Sequence, residues 1–381
     1  MSSTRTAVVG VGTTEFGHLP GASADDLGTA ALLAALADAG LSVTDIDGLI
    51  ATRVSSYEAI ASRMRIEPRW AMQLPAEGRM TGVAIGQAVM AIEAGMASTV
   101  ALVYGNDGRS GGHTYGGRGA SASSAATGYG TNPSLTSPYG ITSPGAFYAL
   151  MFQRYCAQFG AAPEHLAPVA RTFRDHAALN PQAVLTEPIS LDGYLDSRYI
   201  VEPLRLYDYC QVNDGGVAMI VTRADRADDC AQPAVSVLGF GGQGQLSDSD
   251  FPPEDFWHGA IAAVGRRAYE MAGCSRADVD VLMAYDNFSP NVLFALEGLG
   301  FCGPGEAGAW IADGRIGLKG ELPVNTSGGH LSESYMQGWG LNVEAVRQLR
   351  GTCGPRQVHG ATTAQYLCPA PFVTSVVYGV R

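Results

Sequence analysis

The 381-residue chain is 46% hydrophobic and 16% charged, the balance of a soluble globular protein with a large core, which excludes a small stapled fold. Its formal net charge of −12 would repel a polyphosphate backbone, so nucleic acid is a poor partner. Lys319 is the only lysine among 24 basic residues, which leaves lysine chemistry a single candidate.

The opening "MSSTRTAVVGVG" passes directly into a β-like run, so no export signal is expected. The seven cysteines are scattered and free of any CxxC pair, which fits reduced thiols in a cytoplasm better than a disulfide framework or a zinc ribbon. In chain order the pattern predicts a strand over 6–12, an amphipathic helix over 23–40 stopped by Gly40, a strand over 46–52, a helix over 80–94 and a strand over 98–105. That alternation argues for an α/β fold with a central sheet. The most apolar stretch, 82–104, is broken by Gln87, Glu93 and Gly95, so it reads as a buried helix and strand rather than a membrane span.

From 105 to 145 the chain is rich in Gly, Ser and Thr and reads as a long loop, either a functional lid or an insert. Helices are expected over 147–159 and 163–178, then an irregular stretch to 205 and an apolar strand over 216–222. "ALADAGLSVTDIDGLI" (35–50) aligns without a gap on "AYEMAGCSRADVDVLM" (268–283), pairing Gly40 with Gly273 and Asp45 with Asp278. A weaker echo sets "MAIEAG" (90–95) against "VRQLRG" (346–351). The chain is therefore expected to contain two similar α/β halves, residues 1–232 and 233–381, with 106–205 inserted in the first.

"VGVGTTEFG" (9–17) has the third glycine of a dinucleotide loop misplaced and reads as a tight turn. The seven histidines show no HxH or HExxH spacing, so no metal is expected. "MAYDNFSP" (283–290) is more informative, because the carboxyl ends of strands in an open α/β sheet face the ligand crevice. In "NTSGGHLSESYMQG" (325–338), a strand "LPVN" ends at Asn325, Gly328 and Gly329 allow positive φ, and Ser332 or Ser334 caps a helix running to about Leu349. Tyr335 then falls in the first helical turn. A free phenol titrates near 10, so acting as a base at neutral pH takes about three units of depression, roughly 4 kcal/mol. A helix N-terminus supplies only about 0.3–1 kcal/mol, so another tyrosine hydroxyl, Asp286 or Glu333 must share the proton.

Together the repeat, "YDNFSP", "LEGLGFCGPGEAGAWI" and "PVNTSGGHLSESYMQGWGLNVEAVRQLRG" resemble the thiolase superfamily, in its lipid-transfer-protein and sterol-carrier-protein-x branch. The resemblance covers nearly the whole chain and is strongest over 281–351. It implies a five-layer α/β/α/β/α sandwich of two βαβαβαββ halves, and a homodimer. It also places the thiolase nucleophile at Gly78 or its immediate neighbours, where there is no cysteine, and maps the catalytic histidine onto Tyr335 and the Asn or His of a second motif onto Tyr285. The family's C-terminal cysteine-glycine motif is absent; Cys368 in "LCPAP" is not read as its functional equivalent.

A chain without the nucleophile cannot form the acyl-enzyme of thiolysis. What remains resembles the steroid-degrading retro-aldolases of this branch, which cleave a β-hydroxyacyl-CoA into a ketone and a shorter acyl-CoA such as propionyl-CoA, beside an OB-fold, zinc-ribbon partner in a heterotetramer. CoA enters as part of the substrate and no further cofactor is expected. Tyr335 is assigned to the β-hydroxyl and Tyr285 to the enolate carbon, with the reverse assignment open; His330 and Asp286 are second-line candidates. Two rival readings are an acyltransferase using a displaced cysteine and a non-catalytic acyl-CoA-binding scaffold.

Overall fold

A computed structural model describes residues 6–113, 139–141, 143–244, 255, 257–369 and 372–380. Nine strands form one sheet: β1 (Thr6–Thr13), β2 (Gly48–Thr52), β3 (Trp70–Leu74), β4 (Thr99–Asp107), β5 (Asp214–Arg223), β6 (Val235–Gly244), β7 (Val281–Ala284), β8 (Thr363–Cys368) and β9 (Phe372–Gly379). Their spatial order is β3-β2-β4-β5-β1-β6-β9-β8-β7. The sheet is continuous only through the short β1–β6 contact, Ala7 opposite Ser236 and Val8 opposite Val235. Everything on either side of that seam is more extensively paired, as in β4–β5, which runs from Thr99–Thr222 to Asp107–Asp214.

The strands are apolar on both faces because both faces are covered. On one side α1 (Ala24–Ala39) and α2 (Tyr57–Met64) pack against Ala7, Val9, Leu49 and Ala51. The alternate residues Val8, Val11 and Ile50 face inward, onto α3 (Met80–Glu93) and α9 (Trp339–Leu349). Val281, Met283 and Tyr366 close over the same two helices from the far side. Their alternates Leu282, Ala284 and Leu367 turn outward to a third core built with α4 (Pro144–Phe159), α5 (Ala167–Ala178), α6 (His258–Ala272) and α7 (Pro290–Gly298). Helix, strand, helix, strand, helix is the five-layer order expected from the resemblance.

The sequence echo is a structural one. Gly40 and Gly273 end α1 and α6 in the left-handed conformation, at φ 69° and 67°. Ser42 and Ser275 then each bond the carboxylate three residues on, Asp45 and Asp278, from backbone and hydroxyl alike. The strands that follow, β2 and β7, both pair in parallel with a neighbour. One expectation along the chain needs correcting, and two elements were not anticipated. "LPVN" forms no extended strand, only a single bridge from Val324 to Leu282. The strand over 70–74 and the helix over 57–64 were not foreseen, being short and only partly buried. Most of the 105–145 loop lies outside the described residues. No helix among the described residues is long and apolar enough to cross a membrane.

Candidate active site

β7 delivers Tyr285 to the site. Its backbone N–H donates to the Leu367 carbonyl at 2.8 Å, carrying the β7–β8 ladder one residue past the strand. Asn325 brackets the preceding residue: its Oδ1 accepts from Ala284 N–H at 2.8 Å and its Nδ2 donates to the Ala284 carbonyl at 2.7 Å. That side chain ties the 325–338 segment to the carboxyl end of β7. Thr326 is fixed in turn through Glu344, which accepts its hydroxyl at 2.8 Å and forms a buried fork with Arg356.

The glycine pair turns the chain as expected, with φ 103° at Gly328 and 60° at Gly329. There is a steric reason as well: a Cβ on Gly329 would lie 2.2 Å from Asp286 Oδ2. The helix beyond does not begin where the serines predicted. A single turn, α8 (Gly329–Ser332), is followed by a break, and α9 starts at Trp339 after Gly338. Gln337 at φ 50° and Gly338 at φ 89° make the break, and Gly338 N–H donates to His330 Nε2 at 3.0 Å. Tyr335 therefore sits in the bend between two helices, not in a first helical turn, and the helix-end contribution to its acidity falls away.

The bend brings the two tyrosines together. Tyr285 Oη and Tyr335 Oη are 2.9 Å apart, hydrogen-bonded, with ring planes at 71°. The His330 imidazole stands edge-on to both, 4.6 Å from the Tyr285 centroid and 5.1 Å from that of Tyr335. Tyr285 is buried and Tyr335 half-buried.

His330 and Asp286 take up positions behind the phenols. Because His330 Nε2 accepts from Gly338, the imidazole proton belongs on Nδ1, which lies 3.3 Å from Asp286 Oδ1 without the alignment of a hydrogen bond. Burial pushes His330 down to about 3, so the ring is neutral. Burial pushes Asp286 up to about 7, although the amides of His330 and Leu331 donate to it at 2.9 and 3.3 Å. Both side chains are thus engaged with the loop backbone.

Gly78 lies against Tyr285 itself. A Cβ there would be 1.9 Å from Tyr285 Oη and 2.2 Å from Cζ, so the position the resemblance assigns to a nucleophile is occupied by a phenol. The approach to α3 is clasped to the bend as well: Thr81 Oγ1 donates to the Gln337 carbonyl at 2.6 Å, and Gln337 Nε2 donates to the Ala76 carbonyl at 2.9 Å. Thr81, Asn213 and Gln337 were not singled out in the sequence, and Asn325 only as the end of a strand. The signal that could have found Asn213 is the polar "QVND" set directly before the buried run "GGVAMIVT".

Lys319 is exposed. Cys368 is buried at the end of β8, in the inner core that also holds Tyr285. Among the described residues no three His, Cys, Asp or Glu side chains form a group that could hold a metal ion.

Residues 244–375 match the family model described as Thiolase C-terminal domain-like. Over 361 residues the chain is 38% identical to 17-hydroxy-3-oxo-4-pregnene-20-carboxyl-CoA lyase of Mycobacterium tuberculosis, covering 92% of this chain and 93% of that one. This chain belongs to the thiolase-like family. The thiolase-like chain is also 36% identical over 357 residues to the steroid side-chain-cleaving aldolase of Thermomonospora curvata, covering 91% and 90%. The solved structure of the Ltp2–ChsH2(DUF35) aldolase matches the thiolase-like fold with a TM-score of 0.90 at 34% identity, over 99% of this chain and 98% of the other.

Proposed function

We propose that this chain is a retro-aldolase that cleaves a β-hydroxyacyl-CoA thioester, of the steroid side-chain type, into a ketone and a shorter acyl-CoA such as propionyl-CoA. The observation that carries the reading is the 2.9 Å contact between the Tyr285 and Tyr335 hydroxyls, over a Gly78 that leaves room for no other side chain. Two relatives named as a lyase and an aldolase share more than a third of its residues along almost the whole chain, which supports the same activity here.

The reaction moves one proton from the β-hydroxyl oxygen to the α-carbon while the bond between those carbons breaks. One phenolate in the pair takes the hydroxyl proton, the C–C electrons pass to the thioester as an enolate, and a phenol returns a proton to the α-carbon. The proton count closes within the tyrosine pair, without a covalent intermediate and with no cofactor beyond the CoA of the substrate. Tyr335, the more exposed of the two, is assigned to the β-hydroxyl, and Tyr285 to the enolate carbon.

The neighbouring Ltp2–ChsH2(DUF35) aldolase has a second subunit, and by that analogy this chain works as a homodimer joined to an OB-fold, zinc-ribbon partner in a heterotetramer. Ketone release from a β-hydroxyacyl-CoA panel, measured on the co-purified complex, tests the activity. Tyr285→Phe and Tyr335→Phe are each expected to lower it by about 100-fold or more, in the range of lost acid–base catalysis. Wild-type rates in both variants would end the proposal.

A further inference from the structure

Tyr335 lies outside any helix, so its backbone N–H has no helical acceptor. It is taken instead by Asn213 Oδ1, at 3.1 Å. Asn213 is buried immediately before β5 and is held from both directions. Its carbonyl accepts Asn106 Nδ2 at 2.7 Å, and Asn106 Oδ1 accepts Arg53 Nε at 2.8 Å and Gly108 N–H at 2.9 Å. Its amide nitrogen donates to Gln211 Oε1 at 3.4 Å, and Gln211 Nε2 donates to the Ser332 carbonyl at 3.1 Å, on the single turn that precedes Tyr335.

The next residue anchors a different segment. Asp214 accepts the backbone amides of Leu19, Arg109 and Ser110 at 2.8, 2.8 and 3.0 Å, and the Ser110 hydroxyl at 2.6 Å. These bonds hold the carboxylate below its ordinary range even though burial raises it, so it stays charged. Asn213 and Asp214 thus form a bracket: one side chain fixes the backbone of Tyr335, and the other fixes the chain leaving β4.

We propose that Asn213 is a positioning residue of the retro-aldol reaction, holding the Tyr335 backbone so that its hydroxyl meets that of Tyr285. The inference rests on the function proposed above. Asn213 makes no hydrogen bond to either phenol, so it acts through the amide of Tyr335. Loss of its acceptor lets the 333–338 bend relax and separates the two oxygens, without removing either one.

The experiment compares Asn213→Asp, which keeps an acceptor oxygen in place, with Asn213→Leu, which keeps the volume and loses the acceptor. Ketone release by the complex is read as kcat and KM separately, with thermal melting as a check on folding. Asn213→Leu is expected to lower kcat by about 10- to 100-fold with KM changed less than about threefold, a loss confined to the transition state. Asn213→Asp is expected to retain most of kcat. If Asn213→Leu does not fold, Asn213→Ser, too short to reach the Tyr335 amide, is read in its place with the same expectation. Equal kcat in the acceptor-less and acceptor-bearing variants overturns the inference, as does a change confined to KM. Tyr335→Phe run in parallel separates the two readings: if that variant is fully active the tyrosine mechanism fails, whereas an inactive Tyr335→Phe beside a fully active Asn213→Leu removes only the role of Asn213.

Discussion

The phenol of Tyr285 lies on the Cα of Gly78, so close that a single added methyl at residue 78 would fall 1.9 Å from the hydroxyl oxygen. A side chain at 78 and a tyrosine at 285 cannot coexist in this geometry. The position that the resemblance assigns to the nucleophile and the phenol of Tyr285 therefore exclude one another.

Gly78→Ala should consequently act through Tyr285. Overpacking of this kind costs about 1–3 kcal/mol, and the displaced hydroxyl should lower kcat by about 100-fold. In a Tyr285→Ala background the same substitution has space to fill and should leave the melting temperature unchanged. Equal destabilisation in the two backgrounds would show that Gly78 answers to something other than Tyr285.

His330 is expected to stay neutral throughout the working range, because burial holds it near 3 and Gly338 donates to its Nε2. Nitrogen chemical shifts of the His330 ring should be flat between about pH 5 and 8, with the proton on Nδ1. His330→Ala, which abandons the Gly338 amide, should lower kcat by about tenfold or more through movement of the bend. A titration of the ring near its ordinary value of 6.5 would contradict the geometry.

Glu333 is lifted by burial from 4.5 to about 7, and Asp286 from 3.8 to about 7. In the window between those values the folded chain holds protons that the unfolded chain has released, so stability is greatest on the acidic side and is lost as pH rises through about 7. Each group contributes at most about 1.4 kcal/mol per pH unit to that slope. Glu333 receives hydrogen bonds from Asn180 Nδ2 and the Ser327 hydroxyl, and a glutamine can keep both contacts once that hydroxyl turns to accept. Glu333→Gln should therefore flatten the dependence of melting temperature on pH and exceed wild type near pH 8; an unchanged slope would refute the assignment.

Thiol modification distinguishes this chemistry from acyl transfer. Burial pushes Cys156 up to about 11 and Cys302 up to about 12, and Cys210, Cys230, Cys274 and Cys353 also move up, so none of these is poised as a thiolate. Alkylating the accessible cysteines of the native protein should leave ketone release within about twofold of the untreated rate. Loss of activity that tracks the labelling of one cysteine would favour an acyltransferase instead.

Much of the architecture was legible because the same local chemistry is written twice. A glycine that can adopt positive φ, followed by a serine and an aspartate that bond each other, marks Gly40–Asp45 and Gly273–Asp278 without reference to the rest of the chain. Tyr285 and Tyr335 could be picked out in the same way, by strand end, turn chemistry and resemblance. The start of α9 could not. Ser332 and Ser334 look like caps, but the helix waits until Trp339 because the nearby His330, and Thr81 and Asn213 from distant parts of the chain, take up backbone groups of the bend. Asn213 was missed for the same reason: its partner lies 122 positions away, a contact that the polar "QVND" before the buried run hints at but does not name.

The inner helices α3 and α9 are enclosed by strands from both sides of the β1–β6 seam, and the two phenols meet at their approaches. An enzyme arranged in this way has little slack where its chemistry occurs, because any residue that grows or shrinks in the middle layer is felt by the oxygens. Drift in sequence is thereby steered to the outer helices, and a new substrate is more readily accommodated by reshaping the periphery than by touching the centre.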